Sequence, residues 1–244
     1  MNPHRKTGDG VWAGKKEERS SSCVDAFFFD FDGVIVDTET VWMNCLYDFC
    51  ESRALPVKRE DLLPYLGDGD RQAISYIAHM GGIEERGILS AVQPQFWKGV
   101  ESLEPRPGIC RYLTYARKNG IKLAVVSNSG GDYLHRWLKR LLLDKCFDCI
   151  VSRESALLPK PAPDLYLKAA ELLHLEPARV IAVEDSLRGL RAAAAAGMCA
   201  VAFPHPASGP EVKKLFPFCL DLAKVSPDEL IMRVRTRPGQ KEVL

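Results

Sequence analysis

The sequence has almost no net charge: 33 Lys and Arg stand against 32 Asp and Glu in 244 residues, a balance of +1. That balance excludes the broad basic field by which a general nucleic-acid binder attracts phosphates. Long apolar runs are also missing. The longest uncharged one, Ala192 to Phe203, falls short of the roughly 18 residues needed to cross a bilayer. The first 22 residues, MNPHRKTGDGVWAGKKEERSSS, have no apolar centre and do not read as a secretory signal. Asp9, Glu17 and Glu18 weigh against a transit peptide. The stretch reads as a disordered tail on a cytoplasmic protein, with organelle targeting left open. Five isolated histidines form no H-E-x-x-H, which removes a histidine-based metal site. The eight cysteines form no framework, and Cys45, Cys149 and Cys199 sit inside apolar segments, as reduced buried thiols do. Cys146-Phe147-Asp148-Cys149 has C-x-x-C spacing but no second pair, so it reads as core filling.

What is present is an alternation. Short continuous apolar runs occur at Ala26 to Phe29, Ile121 to Val126, Cys149 to Val151, Val180 to Val183 and Cys199 to Phe203. Continuous runs of this kind belong to parallel strands covered on both faces. The segments between them are helical in pattern. Leu165, Ala169 and Leu172 share one face, as do Tyr166, Ala170 and Leu173, while Asp132 to Leu143 and Ser186 to Ala196 read as further helices. Gly197 closes the last of these, and Ser226-Pro227-Asp228-Glu229 is a capping box that starts a final helix. Strand alternating with helix predicts an α/β fold, a doubly wound (Rossmann-like) parallel sheet. One block breaks the pattern. From Thr38 to about Glu104 there is only helical signal, including Val41, Cys45 and Phe49 at spacing four, Arg71 to Met80, and Ile88 to Val100. The expected organisation is a tail (1–22), a core (23–37 and 105–244) and an inserted all-helical cap (38–104).

Ligands of parallel sheets bind beyond the carboxyl ends of the strands. The first strand ends in Asp30-Phe31-Asp32-Gly33, the second in Ser127-Asn128-Ser129, and the fourth in Glu184-Asp185-Ser186. Lys160-Pro161-Ala162-Pro163-Asp164 lies in the loop between the third and fourth. Each piece alone could be a turn, a helix cap or a solvated charge. Together they satisfy the placement rule four times. Carboxylates crowded on one rim repel each other and any anionic substrate, so a hard cation with few protein ligands, Mg²⁺, is expected among them. An Asp at a strand end can attack phosphorus, and a second Asp two residues on can act as acid and base. Crowding beside Asp30 should raise the proton affinity of Asp32. The Ser127 hydroxyl, backbone N–H groups at Ser127 and Asn128, and the Lys160 ammonium would hold phosphoryl oxygens.

The ordered set Asp30-x-Asp32-Gly33-Val34-Ile35-Val36-Asp37-Thr38-Glu39, Ser127-Asn128, Lys160-Pro161-Ala162-Pro163-Asp164 and Glu184-Asp185-Ser186 resembles the haloacid dehalogenase superfamily. More closely it is similar to the branch with a helical cap after the first strand, which includes phosphoglycolate phosphatases and β-phosphoglucomutases. The resemblance spans about residues 24 to 225 and includes the helix Gly189 to Met198. It implies that Asp30 is the nucleophile and Asp32 the general acid/base. It also implies that Mg²⁺ is held by Asp30, the Asp32 backbone carbonyl, Glu184 and Asp185. Because Asp32 is present, halide displacement is not expected. The reading is a Mg²⁺-dependent phosphatase of a small phosphomonoester, a sugar, polyol or glycolate phosphate, with neither nucleic acid nor membrane as partner and the oligomeric state open.

Two alternatives stand beside it. A phosphosugar mutase usually carries His five residues beyond the position of Asp37, where this chain has Trp42. Its cap loop usually carries Lys-Gly followed by Arg, where this chain reads Leu66-Gly67-Asp68-Gly69-Asp70-Arg71. Both departures favour hydrolysis. A catalytically inactive binding or scaffold protein is the other, with the tail and Arg233, Arg235, Arg237 and Lys241 as its basic surface; the intact motifs argue against it. In the cap, Glu39, Trp42, Asp68, Asp70 and Arg71 are candidates to face the cleft, Glu39 and Arg71 foremost. Trp42 reads as core packing beside Val41 and Leu46.

Overall fold

Strand β1 (Ala26–Phe29) is buried at every position, because it occupies the centre of a sheet with helices on both faces. The structure is a computed structural model that describes residues 24–65, 70–205 and 219–236. The 1–22 tail, Asp68, Arg237 and Lys241 lie outside these residues. Strands β2 (Lys122–Val126), β3 (Cys149–Val151), β4 (Val180–Glu184) and β5 (Cys199–Ala202) complete a sheet in the order β3-β2-β1-β4-β5. All pairings are parallel, with Phe28 level with Ala124 on one side and Ala182 on the other. The order reverses beside β1, since the chain builds outward through β2 and β3 and then returns to β4. This is the doubly wound α/β class, and a reversal of this kind is where such sheets open a crevice for ligands.

Between β1 and β2 the chain forms α1 (Thr38–Ser52), α2 (Arg59–Leu62), α3 (Asp70–Gly81) and α4 (Glu85–Val100). These helices share an apolar cluster of their own, built on Leu46, Phe49, Ile74, Ile77, Ile88 and Val92. Asp37 starts α1: its carboxylate accepts from the Thr40 N–H at 3.0 Å and the Thr40 hydroxyl at 2.9 Å, satisfying a donor that the helix leaves unpaired. The two connections to the sheet pass side by side. Val36 pairs with Pro105 in an antiparallel bridge, and the Arg106 N–H donates to the Ile35 carbonyl at 2.7 Å.

After the insertion come α5 (Ile109–Lys118), α6 (Gly131–Arg140), α7 (Asp164–Leu173), α8 (Leu187–Ala195) and α9 (Pro227–Arg235). Alternate residues of each strand enter opposite cores. Phe27, Phe29, Val125 and Val183 pack with Tyr112 of α5, Trp137 of α6 and Leu230 of α9. Phe28, Ala124, Val126 and Ala182 pack with Tyr166 of α7 and Ala192 of α8. Ser226 caps α9 by accepting from the Glu229 N–H, as its capping sequence predicts.

Two helix readings need correction. α6 stops at Arg140 rather than Leu143, because Leu142 takes a left-handed φ of 58° and the Leu143 N–H turns back to the Leu138 carbonyl. That six-to-one bond ends the helix and still returns Leu143 to the core. On α7 the buried stripe is Leu165, Tyr166, Ala169 and Ala170, and Leu172 falls at its margin, 49% exposed. Among the described residues no disulfide forms. No helix among the described residues is long and apolar enough to cross a membrane.

Candidate active site

Asp30 continues β1 by one residue, its N–H donating to the Val183 carbonyl of β4 at 3.1 Å. Its carboxylate Oδ1 accepts from the Phe31 N–H at 2.8 Å and lies 3.1 Å from Lys160 Nζ. The chain then turns at Gly33, which has a φ of +75°. A Cβ there would lie 1.7 Å from Asp185 Oδ2, so only glycine lets this loop pass over the acid at the end of β4. Arg106, buried at the return from the insertion, donates to the Gly33 carbonyl and stacks 3.8 Å over the Phe203 ring. It ties the loop after β1 to the end of β5.

Asp32 sits inside a ring of hydroxyls. Thr38 Oγ1 donates to its Oδ1 at 3.1 Å and Tyr133 Oη to the same oxygen at 2.9 Å, while Ser129 Oγ donates to Oδ2 at 2.5 Å. These donors come from the start of α1, from α6 and from the loop after β2. At the β4 end, Glu184 is fully buried, and its Oε1 accepts from Lys160 Nζ at 2.5 Å and from the Tyr166 hydroxyl. Lys160 Nζ also donates to the Val126 carbonyl at 2.7 Å. Asn128 clamps the Lys160 backbone from both sides: its Oδ1 accepts from the Lys160 N–H at 2.8 Å and its Nδ2 donates to the Lys160 carbonyl at 3.3 Å. Ser127 is buried beside it, its Oγ accepting from the Ser129 N–H at 3.1 Å. The Asn128 side chain is thus committed to placing Lys160.

Burial dominates the electrostatics. It pushes the Asp32 carboxyl above its ordinary value, with Asp30 adding to the rise and the Ser129, Tyr133 and Thr38 hydroxyls opposing it. Burial and Asp30 push Glu184 up to about 8 against the pull of Lys160. Asp185 stands well above the carboxylate range, first through burial and then through Asp30, Glu39 and Glu184. Lys160 is held charged: burial works against it, and Asp30 and Glu184 outweigh burial.

The residues fit a divalent cation. Asp30, Glu184 and Asp185 each bring a carboxylate oxygen within 4.8 Å of the others, and among the described residues no other such cluster forms. Glu184 Oε2 is buried and finds no hydrogen-bond partner among the described residues. Crowded acids and an unmatched buried carboxylate oxygen are what a hard cation with oxygen ligands satisfies. The Cys146 and Cys149 pair takes part in no such cluster.

Over these groups opens a cleft of 460 Å³. Asp30, Asp32, Ser127, Asn128, Lys160 and Asp185 line its core side, and Thr38, Glu39, Trp42, Phe96 and Trp97 reach it from the helical insertion. Glu39 is therefore at the cleft, as expected. Arg71 is exposed on α3 and is not among the lining residues. Asp68 and the side chain of Asp70 lie outside the described residues. Trp42 does more than fill core, since it packs edge-on against Phe96 and also lines the cleft. Sequence reasoning did not single out Tyr133, Tyr166, Arg106, Phe96, Trp97 or Arg188. Tyr133 and Trp137 do share a face of α6, a signal that was available.

A family model described as haloacid dehalogenase-like hydrolase matches residues 27–203. A phosphorylated carbohydrates phosphatase from Thermotoga maritima is 28% identical, with 72% of this chain and 82% of that protein covered. A β-phosphoglucomutase from Bacillus subtilis is 29% identical over 72% of this chain and 81% of its own length. The crystal structure of CbbY from Rhodobacter sphaeroides in complex with xylulose-(1,5)bisphosphate superimposes with a TM-score of 0.64 at 24% identity, covering 83% of this chain and 96% of that one. That likeness shows the shared fold. With the matched segment covering most of the sequence and all four rim motifs, the chain belongs to the haloacid dehalogenase-like hydrolase family.

Proposed function

We propose that the protein is a Mg²⁺-dependent phosphatase that hydrolyses a small phosphomonoester, a sugar, polyol or glycolate phosphate, through an aspartyl-phosphate on Asp30. The observation that carries this reading is the meeting of two aspartates, a buried lysine and a three-carboxylate cluster at the switch point of the sheet. Asp30 attacks phosphorus while Asp32 gives a proton to the departing alkoxide oxygen as the P–O bond breaks. Asp32 then takes a proton from water as the water oxygen attacks phosphorus, and the Asp30 carboxylate leaves. Lys160 and the N–H groups at Ser127 and Asn128 hold the phosphoryl oxygens and offset their charge. Asp30, the Asp32 carbonyl, Glu184 and Asp185 would hold Mg²⁺, which when bound neutralises the acids and polarises the phosphoryl group.

The hydroxyl ring around Asp32 suits an acid that must be both held in place and kept ready to exchange a proton. Trp42, where the mutase branch has His, brings no proton-transferring group to the cleft, which favours release of phosphate over its return to a sugar. Phosphate release from sugar and polyol phosphates, with and without Mg²⁺, tests the proposal. Turnover should need the metal and fall at least about 10³-fold in Asp30→Asn. Full turnover by that variant would refute the nucleophile assignment.

A further inference from the structure

The cleft has a second chemistry opposite its acidic floor. Trp42 of α1, Phe96 and Trp97 of α4 and Tyr133 of α6 line it together. Their rings form an unbroken chain: centroids lie 5.5 Å apart from Trp42 to Phe96, 5.2 Å from Phe96 to Trp97 and 5.9 Å from Trp97 to Tyr133. Each contact is edge-to-face, so the rings fix one another's orientation. The chain continues into the core through Phe31 and Trp137, which makes it a rigid wall rather than a set of loose side chains. Trp97 is nevertheless 45% exposed. A large ring held rigid by its neighbours and left partly uncovered within a cleft is a platform for another flat group.

The occupant must also satisfy the size of the space. At 460 Å³ the cleft falls in the range, about 300–1,000 Å³, that holds drug-sized ligands, and a phosphoryl group alone needs far less. The wall is continuous with the phosphoryl site through Tyr133, whose hydroxyl touches Asp32. The group that meets the wall is therefore the part of the substrate attached to the ester oxygen. Glu39 and Arg188 line the same cleft and supply polar partners for hydroxyls.

We infer that the preferred substrate is a cyclic sugar phosphate whose ring stacks on the Trp97 wall, with Trp97 as the specificity-determining residue. This rests on the phosphatase reading for the identity of the phosphoryl site. An open-chain polyol phosphate lacks the flat face and must freeze more rotors to bind, and glycolate phosphate presents nothing to the wall.

The test measures binding by calorimetry with Mg²⁺ present, in the Asp32→Asn background, so that affinity is read without turnover. Glucose 6-phosphate, sorbitol 6-phosphate and uridine 5′-monophosphate are compared. The ring sugar should bind at least about tenfold tighter than the open chain, and Trp97→Ala should reduce that gap to about threefold or less. Trp97→Phe should keep most of the preference, because a stacking face remains. Equal affinity for ring and chain, or equal weakening of both by Trp97→Ala, would overturn the inference. Tighter binding of the nucleotide would overturn the sugar assignment. Phosphate release by the wild type separates the two readings. Ring-selective binding without any hydrolysis would sink the phosphatase and leave the stacking site standing. Unselective binding with brisk hydrolysis would do the reverse.

Discussion

Replacing Tyr133 by Phe deletes one oxygen and leaves the ring in place. The ring keeps its contacts with Phe31 at 5.7 Å, Trp97 at 5.9 Å and Trp137 at 6.2 Å, so packing is preserved. What is lost is the 2.9 Å bond to Asp32 Oδ1, one of three hydroxyl bonds that hold this carboxylate. That bond lowers the proton affinity of Asp32, against burial, which raises it. A hydrogen bond to a charged group contributes about 1.5–3 kcal/mol, and one pKa unit is about 1.4 kcal/mol. Removing it should move the alkaline limb of the activity profile, where Asp32 stops being an acid, to higher pH by about one unit. The carboxylate also becomes less well placed, and kcat at the optimum should fall about ten- to a hundredfold with KM little changed. Steady-state kinetics from pH 5 to about 10 give both quantities, and urea unfolding should show a loss of about 1.5 kcal/mol at a pH where Asp32 is ionised. An unmoved alkaline limb together with unchanged kcat would refute the claim that Tyr133 holds Asp32 in the working enzyme.

Further outcomes follow from the same geometry. Lys160→Met removes the ammonium that touches both Asp30 and Glu184; in Mg²⁺-free buffer this should cost about 3–5 kcal/mol, read from the urea midpoint, and an unshifted midpoint would contradict the ion-pair account. In Gly189→Ala the new Cβ would fall 2.0 Å from Glu184 Oε2 and 2.1 Å from its Cδ, displacing the carboxylate from Lys160 and Tyr166. The Mg²⁺ concentration for half-maximal activity should rise about tenfold, and no change would mean that Glu184 does not serve the metal. Asp37, the cap of α1, is lowered to about 2 because hydrogen bonds from His205 and Thr40 outweigh burial. A depressed carboxylate contributes stability that is complete above its unfolded value, about 3.9, and is lost as the pH falls toward 2. A third of the side chain is exposed, so solvent screening reduces the contribution to about 1–2 kcal/mol. The stability advantage of wild type over Asp37→Asn should therefore vanish by about pH 2, whereas an advantage constant with pH would argue against the His205 contact.

The sheet was legible because Ala26-Phe27-Phe28-Phe29 and its counterparts are apolar on both faces, which only a doubly covered parallel strand requires. The rim was legible for the same reason, since Asp30, Ser127 and Glu184 each interrupt such a run at its carboxyl end. What could not be read was any partner brought in by packing between distant segments. Tyr133 reaches Asp32 only because α6 packs on the sheet with this ring against Phe31, and Trp97 meets Tyr133 only because α4 brings it there. No spacing within either helix records that contact. Nor does the sequence record that the Asn128 side-chain amide is used on the Lys160 backbone, 32 residues away. Helix ends were blurred where a bulky residue takes a backbone conformation that sequence reserves for glycine, as Leu142 does.

The central claim is that Asp30 carries the phosphoryl group. Acid-quenching the enzyme within a single turnover of a radiolabelled phosphomonoester, followed by peptide mapping, tests it most directly. The account predicts label on the peptide that contains Asp30, lost on exposure to base and absent from Asp30→Asn. Rapid hydrolysis with no protein-bound label at any quench time, or label on a different peptide, would contradict it.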